Sequence, residues 1–255
     1  MASDREGAPL IGVDQLPTDE LGQADLMISF GGDGTLIRAS HICGAHRTPI
    51  LGVYYGRFGF VTQCAPTELG AALSQFFDGQ ASFAERMMVR TELMRQGKSV
   101  AVLHSLNESV VQRAATTRML SFEVTVDGHF LNSYPADGIL VATPVGSTAY
   151  NLSAGGPIVD PALQCMILTA ITPHTLSTRP LVLSGDSEVH VRIETRGDAI
   201  LSCDGQARLA MLSGDEVRIT RSDRVTRFMV VDDQDFLNKL TDRLFWVRRD
   251  PPEGD

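Results

Sequence analysis

An α/β unit followed by a β-rich, sandwich-like domain is the architecture this sequence predicts. Three observations carry it: a short apolar strand near the N-terminus that ends on glycines and leads into a helix, a change of texture from about residue 86 to short runs of Val, Ile, Leu, Phe and Thr, and turn pairs that separate those runs.

Asp25 to Phe30 reads as the first strand and runs into Gly31-Gly32-Asp33-Gly34. Thr35 to Ala45 then places Leu36, Ile37, Ser40 and Ile42 at helical spacing, and Ile50 to Tyr55 is a second apolar run behind Pro49. Strand, turn, helix and strand favour a parallel sheet, whose ligands bind beyond the carboxyl ends of its strands. Thr67 to Phe77 is the next helix, with Leu69, Ala72, Leu73 and Phe76 on one side. The β-rich part comprises Val100 to His104, Leu120 to Val126, Ile139 to Ala142, Val189 to Ile193, Val217 to Thr220 and Phe228 to Val231. Turns at Asp127-Gly128, Asp137-Gly138, Gly185-Asp186 and Asp204-Gly205 give it the signature of an antiparallel sandwich or barrel. Helical spacing returns between Asp235 and Trp246, through Phe236, Leu237, Leu240, Leu244 and Phe245, and Arg248 to Asp255 reads as a frayed tail.

With 255 residues, 43% hydrophobic and 21% charged, the chain falls outside the disordered, collagenous and fibrous classes. A net charge of −9 excludes a basic footprint for a phosphate backbone, so nucleic acid is not an expected partner. All of its 22 basic residues except Lys98 and Lys239 are arginine, which leaves a lysine-dependent mechanism two candidates. Cys43, Cys64, Cys165 and Cys203 are scattered, without zinc spacing, and are expected to be reduced, buried thiols. No signal peptide is expected, and no apolar run approaches the roughly 18 to 20 residues of a membrane helix. A soluble cytoplasmic protein without a membrane partner is expected.

The glycine turn is the first chemical signal. Gly31, Gly32 and Gly34 let the backbone approach a ligand and present N–H groups to phosphate oxygens at a helix start. A carboxylate among them, Asp33, is a poor phosphate ligand by charge, and suits accepting a proton from an attacking hydroxyl or helping to hold Mg²⁺. A plain turn is the competing explanation. Other phosphate motifs fail: Gly97-Lys98-Ser99 lacks the earlier glycine of a P-loop, where Glu92 stands, and a dinucleotide fingerprint would need glycine at Ile37. Asn107-Glu108 follows the apolar run Val100 to Leu106, and adjacent residues serve one ligand only at a bend or strand end. The densest signal runs from Asp137 to Pro157, where an apolar strand opens into small residues, hydroxyls and glycines suited to a polyhydroxylated ligand. A helix cap at Ser147 or Thr148 is its bland explanation. Asp204-Gly205-Gln206 reads as a hairpin turn, and His174 as a packing or hydrogen-bonding residue.

Together, the GGDGT turn, the Asn107-Glu108 pair, the DGILVATPVGSTAYNLSAGGP block and the ITPHTLSTRP segment resemble the NAD kinase family in order and approximate spacing, over most of residues 26–231. The turn alone is shared with lipid kinases and resembles one in phosphofructokinases; the long block is specific. The resemblance implies transfer of the γ-phosphoryl group of ATP, or of polyphosphate, to the 2′-hydroxyl of the adenosine ribose of NAD, with Mg²⁺ or another divalent cation. It implies that Asp33 is the base or orients the hydroxyl, that Asn107 faces the adenine and Glu108 the ribose hydroxyls, and that Asp137 meets the carboxamide or adenine amine. Gly34, Phe60, Thr148, Ala149, Tyr150 and Ser153 complete the dinucleotide pocket, and Gly31, Gly32, Gly34 and Thr35 hold phosphate; no metal ligand is assigned. The implied organisation is an α/β nucleotide-binding domain over 1–97, a β-rich dinucleotide-binding domain over 98–230, and a segment over 231–255 returning to the first. The implied assembly is a homodimer or homotetramer. The chain departs from the pattern at Tyr54, where Asn is usual, and in the thirty mostly polar residues before the turn, where a strand and helix are usual. An abbreviated nucleotide-binding half is therefore expected.

Two competing functions differ in what they require. A lipid kinase would need a basic amphipathic helix or apolar membrane-facing stretch, and none is present in the sequence. A catalytically silent NAD(P)-binding sensor would follow from the abbreviated half, against which the retention of Asp33, Asn107 and Glu108 favours the enzyme.

Overall fold

The computed structural model describes residues 2–3, 14–55, 59–61, 64–114, 120–193, 199–231 and 236–243. Strand β1 (Met27–Phe30), helix α1 (Asp33–Cys43) and strand β2 (Pro49–Val53) form the expected unit, with β1 and β2 parallel and Met27 opposite Ile50. The helix starts two residues before the expected Thr35, because Asp33 itself occupies the first turn behind an extended Gly32. Helix α2 (Leu69–Phe77) buries Ala72 in a cluster with Leu51, Val53 and Met229.

The β-rich part is two packed sheets. The first contains β3 (Ser82–Arg95), β4 (Lys98–Ser105), β6 (Leu120–Val126), β7 (His129–Ala136), β11 (Val189–Ile193) and β14 (Glu216–Val230). The second has the order β10-β9-β8-β5-β12-β13, in which β5 is Glu108–Arg113, β8 is Gly138–Ala142, β9 is Cys165–Ile171, β10 is Leu181–Ser184, β12 is Ala199–Cys203 and β13 is Ala207–Met211. Side chains alternate across each strand, so Phe122, Val124, Val189 and Val191 of one sheet meet Val111, Ile139, Val141 and Leu201 of the other in one core. Strand β8 is buried on both faces, with Leu140 and Ala142 turned instead toward Val159 and Ile167. This explains its unbroken apolar run.

Strand β14 joins the two parts. Its first half pairs antiparallel with β11 and β3, and near its end Phe228 pairs in parallel with Ile50 of β2. The expected strands Val217 to Thr220 and Phe228 to Val231 are therefore the two ends of one strand. The polar residues between them coincide with a shift in register from Arg221 to Val225. Strand β3 begins at Ser82, four residues before the change in texture, and was hidden by the charged residues that alternate along it.

Helix α1 docks on the sandwich through one face. Leu36, Ile37, Ala39 and Cys43 pack with Ile50, Met88, Leu106, Val145 and Phe228. Ser40, also on this face, satisfies its hydroxyl on the Ile37 carbonyl at 2.7 Å. All four cysteines are buried and free. The final helix, α3 (Phe236–Arg243), carries the expected Leu240 into the interior; Leu244, Phe245 and the tail 248–255 lie outside the described residues.

Because Leu36 is 1% exposed at this seam, Leu36→Ala should lower the unfolding free energy by about 3 kcal/mol. Urea unfolding should show a reduced midpoint with an unchanged slope.

Candidate active site

The glycine turn is shaped by one strained position and two open ones. Gly31 has φ +149°, and a Cβ there would lie 2.6 Å from Thr35 Oγ1, so glycine is required. Its N–H donates to the Val53 carbonyl at 2.9 Å, fixing the turn to the end of β2. At Gly32 and Gly34 a Cβ would meet nothing within 4 Å, so packing does not demand glycine there, and both leave space at the N-terminus of α1. The Gly32 carbonyl takes the N–H groups of Thr35 and Leu36, at 3.0 and 3.2 Å, so Thr35 offers a ligand its hydroxyl rather than its amide.

Asp33 has more than a dihedral role. Its Oδ2 accepts the Phe60 N–H at 3.0 Å and its Oδ1 the Val61 N–H at 3.4 Å. Gly59 closes this clamp, since a Cβ there would lie 1.8 Å from Asp33 Oδ1. A second loop therefore orients the carboxylate at the positive end of α1. Tyr54, beyond β2, donates its N–H to the Cys64 carbonyl at 3.0 Å and continues the pairing into this loop.

Asn107 and Glu108 sit at a bend, where β4 has ended and β5 begins. Asp204 holds that bend. Its Oδ2 accepts the Leu106 N–H at 2.7 Å, and its Oδ1 accepts the Asn107 and Glu108 N–H groups at 2.8 and 3.0 Å. The fourth partner is His41 Nε2 of α1, 2.6 Å from Oδ2. The Asp204 side chain is 0% exposed. The expected hairpin turn is present between β12 and β13, but its aspartate also ties the helix that carries Asp33 to the Asn107-Glu108 pair. Sequence reading missed this residue. The one available signal was an Asp-Gly turn placed after a fully apolar strand, too common a pattern to single out.

Burial, and then the charge of Asp204, push the Glu108 carboxyl up to about 7, against an opposing hydrogen bond from the Tyr150 backbone. Its Oε2 is buried without a hydrogen-bond partner among the described residues. The long block reaches this bend from the other side. Thr143 donates its N–H to the Asn107 carbonyl at 2.8 Å. Gly146 lies so close that a Cβ would sit 2.1 Å from that same oxygen. Behind it, Ser147 exchanges hydrogen bonds with the Val159 backbone, and buried Asn151 donates to the Pro157 carbonyl at 3.0 Å while accepting from Thr169 at 2.7 Å. Ser147 thus braces the loop, the Thr148 hydroxyl donates within its own turn to the Val145 carbonyl at 3.2 Å, and neither caps the helix that follows. The chain continues through Thr148 and Ala149 to Tyr150, whose backbone hydrogen-bonds Glu108 at the bend, and Ser153 is exposed on the following turn.

The structure does not bring Asp137 to these residues. It lies beside Arg113 at the far end of β5 from Glu108, about 17 Å away at a strand rise of about 3.4 Å per residue. Its carboxylate is engaged by Arg113 Nε at 2.8 Å and by the Thr172 hydroxyl. Gly97-Lys98 forms the turn of the β3–β4 hairpin, and His174, read from the sequence as a packing or hydrogen-bonding residue, is exposed, with its backbone N–H donating to the Pro135 carbonyl at 2.9 Å.

An α/β unit that presents an oriented carboxylate at a helix N-terminus is docked on a sandwich that presents a buried acidic bend, an arrangement suited to a ligand with phosphate and hydroxyl groups. Family models describing the ATP-NAD kinase N-terminal and C-terminal domains match residues 14–81 and 106–231. The NAD kinase of Moorella thermoacetica is 43% identical over 239 residues, covering 93% of this chain and 76% of that protein. That of Geotalea daltonii is 40% identical over 228 residues, covering 89% and 80%. Among solved structures, yeast NADH kinase complexed with NADH has a TM-score of 0.87 at 27% identity, over 95% of this chain and 72% of that one. An NAD kinase from Archaeoglobus fulgidus in complex with ATP has a TM-score of 0.76 at 27% identity, over 97% and 100%. The chain belongs to the ATP-NAD kinase family.

Two outcomes follow from the bend. Asp204→Asn replaces an acceptor with an NH₂ group facing the Leu106 N–H, and should destabilise the fold by roughly 2 to 3 kcal/mol in denaturant unfolding. Glu108 has a folded pKa above its unfolded one, so the stability it contributes below about pH 4.5 is lost as pH rises through about 7. Glu108→Gln should therefore gain on the order of 1 to 3 kcal/mol over the parent between pH 5 and pH 8, read as a difference in Tm that grows with pH.

Proposed function

We propose that this protein is an NAD kinase, transferring the γ-phosphoryl group of ATP to the 2′-hydroxyl of the adenosine ribose of NAD and releasing NADP and ADP. One observation carries the reading: the Asp33 carboxylate is oriented by the Phe60 and Val61 amides beside glycines that leave room for a ligand. A ribose hydroxyl is protonated at neutral pH, and a carboxylate within about 3 Å accepts its proton as oxygen bonds to phosphorus. Phosphoryl transfer otherwise depends on alignment and charge neutralisation, which helix-terminal amides provide without a P-loop lysine.

In this reading Gly32, Gly34 and the Thr35 hydroxyl receive phosphate oxygens, Gly31 shapes the turn with its own N–H held by the Val53 carbonyl, and Asn107 faces the adenine. Glu108 accepts hydrogen bonds from ribose hydroxyls through its carboxylate. Phe60, Thr148, Ala149, Tyr150 and Ser153 line the dinucleotide path, and Asp137 stands outside it in a single chain. A divalent cation belongs to the proposal. Among the described residues no cluster of three or more His, Cys, Asp or Glu is arranged to hold a metal, so the fit is to an ion carried on the donor's phosphates with few protein ligands, as Mg²⁺ commonly is. When bound, it neutralises charge on the transferring group. ATP is the proposed donor, with polyphosphate as an alternative. The proposed setting is the cytoplasm, and the proposed assembly is a homodimer or homotetramer. Among the described residues no helix is long and apolar enough to cross a membrane.

The test is NADP formation from NAD, ATP and Mg²⁺. Asp33→Asn should lower kcat by about 10² to 10⁴ while NAD binding by calorimetry changes little. Retained turnover in that variant would remove Asp33 from the chemistry.

A further inference from the structure

A cavity of about 130 Å³ adjoins the loop that clamps Asp33, its lining including Phe60, Val61, Thr148, Asp160, Phe236 and Arg86. It is smaller than the roughly 300 to 1,000 Å³ of a site for a whole drug-sized ligand, and suits a single charged group. Two of its walls, Phe60 and Val61, are the residues whose amides hold Asp33. Thr148 comes from the long block that reaches the Asn107-Glu108 bend. The cavity is thus continuous with the residues assigned to the substrates.

Arg86 is an unusual member of β3. The other two arginines of that strand are paired, Arg90 with Glu92 and Arg95 with Asp215 at 2.8 Å. Its neighbour Glu85, on the opposite face, meets Arg47 at 2.8 Å and Arg227 at 3.6 Å. Among the described residues Arg86 forms no ion pair, and Nη1 donates to the Glu85 carbonyl at 3.1 Å. Burial lowers its pKa, and the negative charge of Asp160 partly offsets that. A partly dehydrated guanidinium without a bonded anion is costly, and phosphate oxygens match its planar donors two at a time. Neither 31–35 nor 143–157 contains a lysine or arginine, so neither motif supplies a fixed positive charge.

We propose that Arg86 binds a phosphate group of the nucleotide substrates in this cavity, with Asp160 at the rim limiting its affinity for anions. The proposal rests on the kinase reading and adds to it a fixed positive side chain, which neither motif supplies. The donor and the dinucleotide both carry such a group, and the experiment separates them.

Full-length protein carrying Arg86→Gln, Arg86→Lys or Asp160→Asn should be compared with the parent by steady-state kinetics in ATP and in NAD, by calorimetry with NAD, and by calorimetry with inorganic pyrophosphate. Arg86→Gln should weaken binding of one substrate by roughly ten- to a hundredfold, with partial recovery in Arg86→Lys. A rise in KM for ATP with unchanged NAD affinity assigns the group to the donor, and weaker NAD binding assigns it to the coenzyme. Asp160→Asn should tighten pyrophosphate binding, whereas a purely structural pair would lose stability in both variants with no change in affinity. Folded Arg86→Gln with both KM values and kcat within about twofold of the parent overturns the proposal. Should Arg86→Gln fail to fold, pyrophosphate affinities of Arg86→Lys and Asp160→Asn equal to the parent's overturn it instead. A parent that binds pyrophosphate through Arg86 but makes no NADP overturns the kinase reading and leaves this site standing.

Discussion

The four hydrogen bonds on the Asp204 carboxylate are the constraint on which the site's geometry depends. Three come from consecutive main-chain amides, at Leu106, Asn107 and Glu108, and consecutive amides converge on one point only where the chain bends. Without an acceptor inside the bend those N–H groups would be buried and unpaired, so the conformation that presents Glu108 exists because Asp204 is there. The fourth bond, from His41, extends the constraint across the molecule. Helix α1 carries Asp33 at one end and His41 in its last turn, so a single rigid rod fixes the glycine turn relative to the bend.

Apolar packing reinforces that fixation. Leu36 and Ile37 from the rod, Leu106 from the bend and Val145 from the long block share one cluster, so each strand of the site is anchored to the same body. Strand β14 runs unbroken from the sandwich into the parallel sheet. A hinge between the α/β unit and the sandwich would have to break the cluster, the His41–Asp204 contact and the β14–β2 pairing together. The site is therefore assembled by folding rather than by closure of two free domains.

Much of this was legible in the sequence, for identifiable reasons. The glycine turn and helix α1 carry short-range signals, a positive-φ glycine and an apolar face of helical spacing, and both were placed within two residues. Strand β8 declared itself by an unbroken apolar run because both of its faces are buried. What stayed hidden depends on pairing at long range. Strand β3 went unread and β14 was read as two strands, because Arg90 and Glu92 interrupt the apolar pattern of the one and the polar run from Arg221 to Arg224 that of the other; only the folded sheet shows that Arg90 meets Glu92 and Arg221 meets Asp186. The role of Asp204 was invisible because three of its partners are nearly a hundred residues away and the fourth, His41, is 163 away. The separation of Asp137 from the rest of the block had a similar cause. It adjoins the block in sequence, but an intervening extended strand carries it to the opposite end of the sheet.

The charge balance of the chain poses a last question, since an acidic protein is expected to repel the polyanions it handles. The structure answers it locally. Most arginines of the first sheet are neutralised by carboxylates, Arg218 by Glu188 and Glu92, Arg221 by Asp186, Arg227 by Glu85, so they add little long-range field. The glycine turn offers partial positive charge from peptide dipoles, which need no counter-ion and demand little reorganisation when phosphate arrives. Attraction of this kind acts within the first helical turn and fades quickly beyond it. Such a protein relies on shape and short-range amide donors at close approach more than on steering from a distance. Its association with nucleotides should therefore depend weakly on salt, unlike that of a basic phosphate-binding surface.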